Sequence, residues 1–89
     1  MAQTIEFDGK RYGHQQFWAL FRELMNRGFF VKIVGNKRDD GQLAYGCKLT
    51  NWKMKLEPIQ TVPCTTPWVA LVAAITAMEL QMARRDMYR

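Results

Sequence analysis

The residues able to do chemistry in this chain are few: one histidine, His14; two thiols, Cys47 and Cys64; an acidic pair, Asp39-Asp40; and a set of lysines. Acid-base or nucleophilic catalysis needs a nucleophile, a base and a group to orient the base, gathered in one pocket. His14 follows Gly13 at the start of a predicted helix, where it reads as a capping or surface group. Nothing in the spacing brings it to either thiol. The cysteines stand 17 positions apart with no histidine at ligand spacing, and Asp39-Asp40 lacks the pattern and terminal glutamate of a calcium loop. Gly35 and Gly41 bracket a charged turn and do not join a strand to a helix, as a phosphate-cradling loop requires. The expectation is a protein that is not an enzyme and carries no metal and no cofactor.

The lysines point to binding. Thirteen Lys and Arg against eight Asp and Glu give a net charge of +5 at pH 7, a field that favours anionic partners. Phe29, Val31 and Ile33 alternate with Phe30 and Lys32, so if the first set faces a core the second faces outward. The same alternation in the following strands adds Lys48, Lys53 and Lys55 to that outward surface, with Lys37 and Arg38 in the adjoining loop. Such a face holds phosphates with its ammonium groups and stacks a base on Phe30. A solvated sheet face with lysine-guarded edges has the same pattern. As anchors for a protein partner the exposed candidates are Trp52, Phe30, Lys37, Arg38 and Tyr88.

The elements that position these residues follow from periodicity. Eighty-nine residues close one hydrophobic core, so residues 1–89 form a single small domain. Thr4 to Phe7 and Lys10 to Tyr12 flank Asp8-Gly9, a hairpin turn signal. Phe17, Leu20, Phe21, Leu24 and Met25 recur at three and four, predicting a helix over 14–27 that ends at Gly28. A strand follows from Phe29, a polar loop over Gly35 to Gly41, a return strand through Leu43 to Leu49, and a third strand over Trp52 to Leu56. Ile59 to Thr65 reads as a connection. Thr66-Pro67 starts a second helix running to about Arg85. Its main stripe is Trp68, Leu71, Val72, Ile75, Met78 and Met82, and further alanines make it apolar almost all round. The first helix or a second copy must cover the surplus, the latter as a homodimer through the Trp68 to Met82 helix.

The fold class is therefore α+β, an antiparallel sheet of three to five strands packed against two helices in the order ββαβββα. The core is expected from Trp68, Leu71, Val72, Ile75, Phe17, Leu20, Phe21, Leu24, Val31, Ile33, Tyr45 and Leu49. No segment has the basic start and apolar run of a secretory leader, so free, reduced thiols and a cytoplasmic location are expected. The longest apolar stretch, Pro67 to Met78, is shorter than the roughly 20 residues a bilayer requires.

Tyr45, Thr50-Asn51-Trp52, Pro58-Ile59 and Thr66-Pro67 with Ala70 and Ala73 resemble the aromatic, Thr-Asn-Trp, Pro-Ile and Thr-Pro helix sequence of NinX-type small proteins of tailed bacteriophages. The likeness lies in the C-terminal half. Lys53 to Glu57 stand where that family usually has a glycine pair, and the N-terminal third does not match. The resemblance implies a phage or prophage origin and an accessory role in an infected bacterium; it carries over no site residues. The expected function is a non-enzymatic accessory protein in the host cytoplasm that binds and modulates a host protein or protein-nucleic acid complex such as a defence or transcription system, inhibition being one form of that modulation. The alternatives are a basic nucleic-acid-binding module using the lysine-lined sheet face, and a homo-oligomeric structural module.

Overall fold

The computed structural model describes residues 4–51, 53, 57–61 and 63–87, the side chains of 85–87 excepted. The expected order is observed: β1 (Ile5–Phe7), β2 (Lys10–Tyr12), a 3-10 turn at His14–Gln16, α1 (Phe17–Asn26), β3 (Phe29–Lys37), β4 (Leu43–Asn51), β5 (Ile59–Gln60) and α2 (Pro67–Met87). β1 and β2 pair antiparallel through Asp8-Gly9, both at positive φ (54° and 81°), as the dipeptide requires. The second sheet is antiparallel in the order β3-β4-β5. Both helices lie on one side of it.

α2 begins as its sequence dictates: the Thr66 hydroxyl accepts the Val69 N-H at 3.1 Å, and Pro67 occupies the first helical position. Leu71 and Ile75 are fully buried, with Trp68, Val72 and Met78 beside them. They meet the inner face of the sheet, where Leu49, Cys47, Phe29 and Ile59 are also buried. Ala70 and Ala74 are equally shielded, so α2 buries more than a narrow stripe, whereas Ala77 and Leu80 remain exposed. Its principal stripe is occupied within the chain. α1 contributes buried Leu20 and Leu24, and Phe17 meets Trp68 edge-on at 6.4 Å between ring centroids. Of the expected core, Phe17, Phe21, Val31, Ile33 and Tyr45 are only partly buried.

Three expectations need correction. The segment Gly35 to Lys37 is strand, because the ladder continues through Gly35↔Tyr45 to Lys37↔Leu43. Gly35 lies under the Tyr45 ring, whose Cε1 would stand 3.3 Å from an added Cβ; this glycine is a packing glycine and the turn begins only at Arg38. There the Arg38 N-H donates to Gln42 O at 2.7 Å and Asp40 accepts the Gln42 N-H at 3.0 Å. Second, Ile59 to Thr65 is not a bare connection. It holds β5 and a bridge between Tyr45 and Cys64, with Pro63, which has no N-H to donate, between the two paired sites. Third, Met25 is 48% exposed, because the helix turns it past the edge of the core-facing stripe. The third strand expected over Trp52 to Leu56 falls largely outside the described residues; Lys53, which is described, sits in a bend.

The passage from α1 to β3 depends on Gly28. Its φ is 93°, and an added Cβ would come within 3.1 Å of the Lys53 side chain and 3.3 Å of Asn51 Oδ1. Gly28→Ala is expected to lose about 1–2 kcal/mol from the left-handed backbone conformation, before any cost of moving its neighbours. Leu71→Ala should cost about 2–5 kcal/mol, the range for a leucine truncated in a closed core. Urea unfolding measures both, and an unchanged midpoint for Leu71→Ala would show that α2 does not seat on the sheet as described.

Candidate functional site

The candidate site is the sheet face turned away from the helices. Register sets its membership: Phe30 faces Thr50, Lys32 faces Lys48, Val34 faces Gly46, and Lys48 also pairs with Gln60 on β5. Side chains alternate across a strand, so these residues share the side opposite Val31, Ile33, Cys47 and Leu49. Phe30 is 62% exposed, and Lys32 and Lys48 are exposed beside it.

Lys32 and Lys48 stand directly opposite one another, an arrangement of like charges that destabilises a strand pair. Edge protection accounts for Lys32, which lies on an edge strand. It does not account for Lys48, because β4 is the central strand. Next to the pair is a shallow depression of about 460 Å³ whose lining includes Lys32, Lys48, Arg38, Ala44, Gly46 and Gln60, and among the described residues no acidic one. Among the described residues Arg38 has one acidic neighbour, Asp40, at 3.9 Å. The arrangement is suited to holding anionic groups in a row beside an aromatic ring.

The other expected site residues are placed differently. Lys37 ends β3 and Arg38 opens the turn, so both stand at the far end of the same sheet from Phe30. Lys53 does not continue the outward alternation: β4 stops at Asn51, whose Oδ1 accepts the Lys53 N-H at 2.8 Å. The bend this makes lays the Lys53 stem beside Gly28. Trp52, Lys55 and Tyr88 lie outside the described residues. Sequence reasoning also did not single out Trp18, which is 71% exposed; the signal was its position one residue off the apolar stripe of α1.

The groups considered for catalysis are dispersed. His14 is exposed in the turn before α1, whereas Cys47 is buried in the core. Its backbone N-H donates to the Thr61 hydroxyl at 2.9 Å. Burial, and secondarily the nearby Cys64 thiol, push the Cys47 thiol up from its ordinary 9.0 to about 11. A thiol held neutral and shielded is a poor nucleophile. Among the described residues no group of three His, Cys, Asp or Glu is placed to hold a metal ion, and no described helix is long and apolar enough to cross a membrane.

No known protein family, curated protein or solved structure matches the chain.

The thiol's environment has a measurable consequence. On unfolding, Cys47 ionises near its ordinary value, so its stabilising contribution is full below pH 9.0 and is lost as pH rises toward about 11. The urea midpoint of the native chain should therefore fall over that interval by more than that of Cys47→Ala. Parallel loss in the two proteins would show that the thiol is not held neutral by the fold.

Proposed function

We propose that this chain is a non-enzymatic accessory protein of phage type that docks the open face of β3-β4-β5 onto a host macromolecular complex and inhibits it. The observation that carries the reading is the Lys32-Lys48 pair beside exposed Phe30, two like charges kept face to face on a surface that neither helix covers. Interfaces of this kind draw their energy from a few aromatic and cationic anchors. The resemblance to NinX-type proteins supports the phage setting.

The lining around Lys32, Lys48 and Arg38, without an acidic side chain among the described residues, favours a second reading, direct binding of nucleic acid. Lys32 and Lys48 face each other across the strand pair, about 5 Å apart at Cβ, so the two ammonium groups can hold one phosphate between them, and Arg38 lines the same depression further along.

Nuclease-treated capture and a salt titration separate the readings, and the paired substitution Lys32→Glu with Lys48→Glu ties the capture to this face. Under the first, the native protein captures a defined protein complex from bacterial lysate after nuclease treatment and the double variant does not; identical captured sets would overturn it. Under the second, a labelled single strand binds at low salt with a log-log salt slope of about −2 for three phosphate contacts. Absence of binding at low ionic strength would eliminate it.

A further inference from the structure

A second surface lies on α1. Trp18 and Met25 are seven residues apart, two helical turns, and so share one flank, where they are 71% and 48% exposed. Arg22 stands one turn from Trp18. The solvent side of an amphipathic helix is ordinarily polar, so two large apolar side chains in line on it call for a partner. The Trp18 ring does not hang free: Phe17 meets it edge-on at 5.3 Å and 89°, and Phe21 at 5.6 Å and 59°. Its conformational cost is already met in folding, which favours its use as an anchor.

Charge decides the kind of partner. Arg22 also lines a cleft of about 480 Å³ between β2 and α1, together with Lys10, Arg11 and Glu23. Glu23, the one carboxylate among the described residues of that lining, accepts from Arg27 Nε at 3.1 Å. Glu6 is opposite Arg11 in the hairpin ladder. Even so, Lys10, Arg11 and Arg22 make no ion pair among the described residues. Arg22, one helical turn from both Trp18 and Met25, thus links the two apolar anchors to a cleft whose lining also carries Lys10 and Arg11.

We propose that this flank is a docking surface for an acidic amphipathic helix of a partner protein, its apolar side chains seated on Trp18 and Met25 and its carboxylates on Arg22, Arg11 and Lys10. The anchors are about 10 Å apart along α1, matching apolar side chains seven residues apart on a partner helix. A single-stranded nucleic acid would find one ring to stack on, because Met25 offers no aromatic platform. This surface is distinct from the open sheet face and does not depend on its function.

The test uses a labelled peptide of about 18 residues with a stripe of leucines flanked along its sides by glutamates, and a counterpart with lysine for every glutamate. Binding is read by anisotropy and by the Trp18 indole signal in NMR, identified by its loss in Trp18→Phe. The Leu/Glu peptide should bind and shift that signal, and the Leu/Lys peptide should not. Affinity should drop at least about tenfold in Trp18→Ala and in the pair Arg11→Glu with Arg22→Glu, while Lys32→Glu with Lys48→Glu leaves it unchanged. Circular dichroism confirms that each variant is folded. The proposal is overturned by no binding of the Leu/Glu peptide up to about 1 mM, by equal binding of both peptides, by undiminished affinity in Trp18→Ala, or by an indole shift produced only by a single-stranded oligonucleotide.

Discussion

The burial of α2 against the inner face of β4 is the contact on which the rest of the molecule depends. Leu71, Ile75 and Met78 on the helix and Cys47 and Leu49 on the strand are all but excluded from solvent, and apolar burial of this kind is the main favourable term in folding a chain this short. Because β4 is the central strand, seating α2 on it also settles which side of β3 and β5 turns inward. A slip of one residue would exchange the two faces of the sheet. Lys32 and Lys48 would then point into the core, where an unpaired charge is costly to bury. The open lysine face is thus a consequence of the core's register.

The smaller hairpin and α1 are tied to this centre by different means. Phe7 and Tyr12 are buried with the core. Arg27, at the end of α1, pairs with both Asp8 in the hairpin turn and Glu23 one helical turn earlier. These pairs are half exposed, and surface ion pairs of that kind contribute little stability; their effect is to orient the hairpin against the helix end. The result is one basic cleft beside α1 and one basic face on the sheet, on opposite sides of the core.

Legibility differed from element to element for physical reasons. The Thr66-Pro67 helix start, the Asp8-Gly9 turn and the Gly28 stop could be read because each is a local demand of backbone geometry satisfied by particular residue types. Gly35 misled, since a strand glycine lying beneath an aromatic ring looks in sequence like a turn glycine. β5 escaped because two residues beside a proline carry no period, and its pairing is with residues ten and twelve positions away. Lys53 followed the outward alternation on paper, yet the side chain of Asn51 captures its backbone N-H and ends the strand. At the candidate site, the side on which Phe30, Lys32 and Lys48 fall was legible, but their mutual placement was not.

What the sequence determined by itself was the α+β class, the element order and the two faces of each long element, because periodicity and turn chemistry are local properties of the chain. Only the tertiary structure decided that Lys32 meets Lys48, that Arg38 joins them beside one depression, and that Trp18 stands supported but uncovered. Those outcomes depend on strand register and on which flank of α1 the sheet leaves open. Both are set by the packing of residues distant in sequence, and no local pattern encodes them.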